Sequence, residues 1–290
     1  MKETVARDLP TKSRFLHPRA MPPRQADVYE AARVKLASGG PGAALKMLHH
    51  IRSVSVHPDL KARVQDADFI ALSGRLSATF DILRRIRLQG ARALVFIESR
   101  QMQYRFVELA RAEFGLSQID LINGSTPISK RQAIVNRFQR HLEHDGGFDM
   151  LVLGPKAAGT GLTLTAATHV IHLSRWWNPA VEEQCNDRVH RLGQHKPVSI
   201  HLPLAIHPGY REQSFDLLLQ SLMQRKRRLA SSALWPMGDA TEDAEQLQKM
   251  LRGAADVGQG DTVHAAMVAL FERDNIGRGM PDVYGAWQYP

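Results

Sequence analysis

Between residues 90 and 205, short apolar runs alternate with longer amphipathic stretches. The runs are ALVFI (93–97), IDLI (119–122), MLVL (150–153), VIHL (170–173) and VSIHL (198–202). Each has the length of a strand rather than a helix. Residues 101–114, 129–142 and 179–192 carry helical periodicity, and a glycine turn with a short helix is expected over 158–167. Strands that are apolar throughout are buried on both sides. The pattern therefore predicts an α/β fold, a parallel sheet with helices on both faces. In such a sheet, functional loops gather at the C-terminal ends of the strands.

The flanks read differently. Residues 1–25 are basic and contain Pro10, Pro18, Pro22 and Pro23, which predicts an extended lead-in rather than a packed element. Helices are predicted over 25–37, 43–57 and 75–89. GGPG (39–42) ends the first, and Leu76, Phe80, Leu83 and Ile86 form the inner face of the third. A long helix is predicted over 213–235, with Phe215, Leu218, Leu219 and Leu222 on its apolar face and RKRR (225–228) near its end. The basic lead-in and helical segment thus occupy 1–89, the α/β domain 90–205 and the long helix 206–235. Residues 236–290 form an acidic, then glycine-rich tail with one helix predicted near 262–273.

Charge sharpens the picture. The net charge is +9, unevenly spread. Residues 1–100 hold 18 basic and 9 acidic side chains, residues 101–235 hold 16 and 11, and residues 236–290 hold 4 and 9. A basic body with an acidic tail points to a polyanionic partner. No apolar run is long enough to span a membrane, and the N-terminus lacks the apolar core of a secretory signal. The single cysteine, Cys185, excludes an internal disulfide framework. The 13 histidines are scattered without zinc-site spacing, so no metal site is expected. A reducing compartment follows: cytoplasmic, at the nucleoid of a bacterium or in the nucleus of a eukaryote.

Candidate chemistry concentrates in residues 151–194. Gln184, Arg188 and Arg191 lie at i, i+4 and i+7, on one face of a predicted helix. Asp187 lies nearby on that face and His190 on the far side. Guanidinium groups stay charged and fork onto phosphate oxygens, so this face suits an anion; a solvated surface helix is the simpler alternative. Gly159-Thr160-Gly161 follows a strand, where glycine allows a sharp turn and close backbone approach. Lys156 precedes it. Trp176-Trp177-Asn178-Pro179 marks a corner, with Pro179 placed to start the next helix.

Together these residues resemble the C-terminal helicase lobe of the Swi/Snf-type DNA translocases of helicase superfamily two. Residues 94–99 resemble the first strand motif of that lobe. Asn123-Gly124-Ser125-Thr126 with Arg131 resembles its G-x-T…R element, and residues 159–165 (GTGLTLT) its fifth motif. Trp177-Asn178-Pro179 matches the WNP signature. Residues 184–194 (QCNDRVHRLGQ) match the sixth motif, Q-x-x-D-R-x-H-R-x-G-Q, nearly position for position. The resemblance covers about residues 15–235. Ser174 stands where an acidic residue often precedes WNP, and Thr160 and Thr163 replace the usual valine and asparagine.

The resemblance implies a RecA-like lobe of a two-lobe engine that uses ATP with Mg to move along double-stranded DNA. Arg188 and Arg191 would be arginine fingers. Gln184, Asp187, Gly159 and Gly161 would bind nucleotide or couple to it. Lys156, Thr160, Thr165, Trp177, Asn178, Ser125 and Arg131 would contact DNA. The P-loop lysine and the acidic metal-binding motif belong to a first lobe, and neither GxxxxGK[ST] nor a DExH box occurs in these 290 residues. The expectation is therefore the C-terminal half of a DNA-dependent ATPase: a fragment, truncated product or piece of a split enzyme, inactive alone and partnered by a first lobe. The alternative is a catalytically silent DNA-binding or regulatory module of the same fold. An RNA helicase lobe fits less well, because the repeated Gly-Arg steps of its sixth motif are missing.

Overall fold

The computed structural model describes residues 9–38, 44–156, 161–176 and 178–231. Six strands form one sheet: β1 (Lys12–Ala20), β2 (Arg92–Phe96), β3 (Asp120–Ile122), β4 (Asp149–Leu153), β5 (His169–His172) and β6 (Val198–Ile206), in the order β1-β6-β5-β2-β4-β3. The pairs β2·β4, β2·β5, β3·β4 and β5·β6 are parallel. Every residue of β2, β4 and β5 is buried, as their unbroken apolar runs require. After β2 the chain runs toward β3 at one edge, and after β5 toward β6 on the other side, so the switch point where α/β sheets place their sites lies at the ends of β2 and β5.

The lead-in differs from its predicted form. Lys12–Ala20 is a strand on the outer edge of the sheet. The Val198 amide donates to the Thr11 carbonyl (2.9 Å), and the Met21 amide to the Ile206 carbonyl (2.8 Å), so β1 and β6 run the same way. Pro18 cannot donate to a ladder, and an edge strand is where proline is tolerated.

The helices are α1 (Pro23–Ser38), α2 (Ala44–Val56), α3 (Asp66–Ala71), α4 (Gly74–Leu88), α5 (Arg100–Phe114), α6 (Ile128–Gln139), α7 (Pro179–Asn186) and α8 (Phe215–Ser231). Leu76, Phe80, Leu83 and Ile86 of α4 are buried as the spacing predicts. The short α3 has no counterpart in the predicted elements. Residues 161–168 hold turns and no helix, contrary to expectation. The residues after the first helix, the tail and its helix near 262–273 lie outside the described residues, as do the side chains of Arg225 and Arg228.

The chain falls into two compact units. The first comprises residues 1–15, 79–174 and 180–202. Its core joins the central strands to Phe80, Phe106 and Phe114, with Phe80 stacked on Phe114 at 5.9 Å. The second comprises residues 16–78, 175–179 and 203–290. Its core packs Tyr29, Leu48 and Ile51 with Phe215, Leu219 and Leu222. Within that unit, Gln25 donates to the carbonyls of Val54 (2.9 Å) and Ser55 (3.2 Å) and accepts from the Gly74 amide (2.9 Å).

Candidate functional site

The arginine-bearing segment is not one continuous helix. Helix α7 stops at Asn186, and the backbone tightens into turns. The Asp187 amide still reaches back four residues to Glu183 (2.8 Å), whereas the Arg188 and Val189 amides reach back only three. The His190 amide reaches back four residues to Asn186 (2.9 Å), and the Arg188 carbonyl accepts from the Leu164 amide (2.8 Å) instead of from the next turn of a helix. Arg188 and Arg191 therefore lie on the turn after the helix, with Gln184 exposed on its last turn.

That turn is sewn to the glycine segment after β4. Arg191 Nη1 donates to the Gly161 carbonyl (3.2 Å). Gly161 has φ +73°, a left-handed backbone that glycine adopts without strain. Gln194 is buried, and its Nε2 donates to the carbonyls of Thr165 (3.0 Å) and Ala167 (2.9 Å). Asn186 Oδ1 lies 2.9 Å from Nε2 of His172, which stacks on Phe96 at 5.4 Å. The fifth and sixth motifs thus form one block anchored to β5 and β2.

The two arginines carry free charge. Arg188 Nε donates back to the Gln184 carbonyl (3.0 Å). Among the described residues no carboxylate pairs with either Arg188 or Arg191. Two other arginines of this unit are paired with carboxylates: Arg92 holds Asp145, and Arg137 holds Asp120 and Asp149. A positive turn with no counter-ion among the described residues is suited to a phosphate chain. Cys185 takes no part in thiolate chemistry, since burial, then the nearby Glu182 carboxylate, pushes its thiol up to about 12.

A second cluster lies after β3. Asn123 Oδ1 accepts from the Ser125 amide (2.8 Å), closing a tight turn that exposes the Ser125 hydroxyl. Arg131 donates to the carbonyls of Thr126 (3.0 Å) and Asn123 (3.2 Å), so part of its guanidinium braces this turn.

The expected DNA residues have diverse settings. Lys156 is exposed. Thr165 is buried, and its hydroxyl accepts from Gln139 Nε2 (3.1 Å), which gives it a place in the internal network rather than on the surface. Asn178 is half-buried in the second unit, where Arg52 lies over the Trp176 ring at 5.0 Å. Gly159, Thr160 and Trp177 lie outside the described residues.

Residues 76–193 match the helicase conserved C-terminal domain. The chain is 34% identical over 204 residues to the putative ATP-dependent helicase/translocase YwqA of Bacillus subtilis (strain 168), covering 70% of this chain and 21% of that protein. It is 28% identical over 274 residues to the Zorya protein ZorD of Escherichia coli O139:H28, covering 87% of this chain and 24% of that protein. The fold matches the Sulfolobus solfataricus SWI2/SNF2 ATPase core domain with a TM-score of 0.66 at 24% identity, covering 89% of this chain and 51% of that one. The chain carries a C-terminal helicase lobe of the Swi/Snf type. It spans less than a quarter of the length of these two relatives.

Within this Swi/Snf-type lobe, sequence reasoning missed three supporting groups. Gln194 ends the sixth motif, and its buried amide holds the fifth motif in place. Glu183 accepts from Lys12 (2.9 Å) and Arg14 of β1, tying α7 to the sheet edge. Arg100, at the start of α5, donates to Ser125 Oγ (2.8 Å). Gln194 was visible as part of its motif, whereas the other two depend on strand pairings that no local pattern reveals.

Proposed function

We propose that this lobe is the C-terminal half of a DNA-dependent ATPase that translocates on duplex DNA, completed by a first RecA-like lobe. The observation that carries this reading is the turn bearing Arg188 and Arg191, fixed to the Gly161 segment and paired with no carboxylate among the described residues. Two guanidinium groups so held meet the need of phosphoryl transfer, where charge grows on the transferring oxygens and positioned cations lower the barrier. The residues present fit a nucleoside triphosphate's phosphate chain. Among the described residues no group of three or more His, Cys, Asp or Glu is placed to hold a metal ion. In this reading the first lobe would hold the Mg that such chemistry uses.

In this reading, Arg188 and Arg191 are the fingers. Gln184 and Asp187 orient them or sense the nucleotide, and the segment containing Gly159 and Gly161 transmits their state to the DNA. Lys156, Ser125 and Asn178 contact the DNA backbone, joined by Trp177 and Thr160. Arg131 shapes the turn that presents Ser125. The relatives' names as ATP-dependent helicase/translocases support ATP use, and the basic charge of the body supports a polyanionic track.

The test measures ATP hydrolysis by the 290-residue chain with duplex DNA, alone and with a P-loop lobe supplied in trans. The chain alone is expected to be inactive and the pair active. Strong hydrolysis by the chain alone, abolished in Arg191→Ala, would overturn the division of the active site between lobes. Salt-sensitive DNA binding with no hydrolysis in the pair would favour a silent DNA-binding module instead.

A further inference from the structure

We infer that Arg100 and Ser125 form a single claw for one phosphate of the nucleic-acid backbone, held in register by the buried amide of Gln103. The inference rests on the proposed DNA-binding reading and adds a contact residue and its support to it.

The two residues come from different loops at the same end of the sheet. Arg100 follows β2 and Ser125 follows β3, both beyond the strands' C-terminal ends. Both side chains are exposed, and Arg100 Nη1 donates to Ser125 Oγ at 2.8 Å. That bond orders both groups without consuming them. The guanidinium keeps its remaining N–H donors, and the hydroxyl keeps its own proton to donate. Among the described residues no carboxylate neutralises Arg100. A tetrahedral monoanion accepting from both fits this pair: charge comes from the guanidinium and direction from two converging donors.

The support beneath is buried and satisfied. Gln103 lies one turn along α5 from Arg100 and is 1% exposed. Its Nε2 donates to the Ile97 carbonyl at the end of β2 (2.6 Å), and its Oε1 accepts from Asn123 Nδ2 (2.9 Å). Asn123 Oδ1 in turn accepts from the Ser125 amide (2.8 Å). One amide relay therefore ties the helix carrying Arg100 to the turn carrying Ser125. Gly154, which follows β4, leaves room for it: a Cβ there would lie 3.2 Å from Gln103 Nε2 and 3.5 Å from Asn123 Cβ. Ser99 fixes the start of the helix, accepting from the Met102 amide (3.3 Å). Such a relay makes a contact pre-formed, so little ordering remains when the phosphate arrives.

The claw predicts a specific salt signature. A phosphate contact made by one cation contributes about one unit to the slope of log affinity against log salt, and its loss weakens binding evenly across sequences. Fluorescence anisotropy with a labelled duplex, across a salt series, reads both quantities for the full chain. Arg100→Ala is expected to lower the slope by about one and to weaken binding roughly tenfold, equally on unrelated sequences. Ser125→Ala is expected to weaken binding in the wild type but to add little in the Arg100→Ala background, because the two act as a unit. Gln103→Met keeps the volume and leaves Arg100 and Ser125 in place yet removes both relay hydrogen bonds, and should reproduce part of the Arg100→Ala loss.

The outcomes separate the claw from the reading beneath it. No salt-dependent binding by the wild-type chain would sink both. Wild-type binding with an unchanged slope and affinity in Arg100→Ala would overturn the claw and leave the DNA reading standing. A raised KM for ATP in the two-lobe assay, with DNA affinity unchanged, would assign the phosphate to the nucleotide and likewise overturn a backbone contact.

Discussion

Arg75 and Arg191 put the same side chain into opposite surroundings. Arg75 sits in the second unit with no exposure, and its Nε donates to Asp216 Oδ2 at 2.7 Å. The Ala205 amide donates to the same oxygen at 2.6 Å, so one carboxylate gathers the start of α4, the end of β6 and the first turn of α8. Arg191, in the first unit, is exposed and rests one nitrogen on a backbone carbonyl. A buried guanidinium must be neutralised, because desolvating an unpaired charge costs several kcal/mol. An exposed one can remain unpaired and wait for a ligand. The first arrangement serves architecture and the second is the one proposed to serve binding, and two kinds of measurement should tell them apart.

The largest effect belongs to the exposed arginine and to rate alone. In the two-lobe assay, Arg191→Ala is expected to lower hydrolysis by roughly 10³–10⁵-fold, equivalent to about 4–7 kcal/mol of barrier. Its unfolding midpoint should stay within about 0.5 kcal/mol of wild type, as for other surface changes. A variant that lost stability instead would place Arg191 with the architectural arginines.

The buried pair should behave in reverse. Asp216→Ala removes the carboxylate to which buried Arg75 donates, and should cost roughly 3–5 kcal/mol in urea unfolding. Arg75→Met with Asp216→Leu should recover most of that loss, less the penalty of the unpaired Ala205 amide, about 1–3 kcal/mol. A small loss in the single variant would show that water reaches the pair.

These two arginines also mark how far the sequence could be read. The buried runs around Leu94, Val152 and Ile171 announced the central strands, because burial on both faces leaves no room for polar residues. The sixth motif announced its arginines by spacing. What spacing could not announce was the end of α7. The periodicity of Gln184, Arg188 and Arg191 continues past Asn186, but the Leu164 amide claims the Arg188 carbonyl from a distant segment. Strand β1 was hidden for a related reason. Its proline and cations look extended and solvated in isolation, and only pairing with β6 and the Glu183 ion pairs make it a strand. Local chemistry was legible wherever the element made its own bonds, and failed where the bonds came from elsewhere in the chain.

Histidines test burial by pH. His169 Nδ1 lies 3.0 Å from His201 Nε2, both rings buried and stacked at 5.3 Å. Burial drops the His169 pKa to about 4. The unfolded chain, near 6.5, then binds a proton that the folded chain refuses, so stability rises with pH between about 4 and 6.5 and is flat above. The slope in that window approaches 1.36 kcal/mol per pH unit, or about 2 kcal/mol lost from pH 6.5 to 5. His169→Phe should reduce the difference in urea stability between pH 5 and pH 7. An unchanged difference would move the acid sensitivity to His57 and His207, whose pKa values burial also lowers.

The smallest effect lies between the two arginine classes. Arg14 is paired with Glu183 yet remains 28% exposed, against 30% for its partner. Water solvates both charges already, so the pair offsets little desolvation and contributes about 0.2–1 kcal/mol. Glu183→Gln should therefore leave the unfolding midpoint nearly unchanged, and added salt should erase what difference exists. Its sharper readout is hydrolysis in the two-lobe assay, because Glu183 sits on α7, whose last turn leads into Arg188. If the rate holds along with the stability, the interactions of Gln194, Asn186 and Leu164 suffice to place the arginines. If the rate falls while the fold is intact, the edge strand β1 takes part in aiming them, and a surface ion pair worth little in stability would act as a positioning contact through α7.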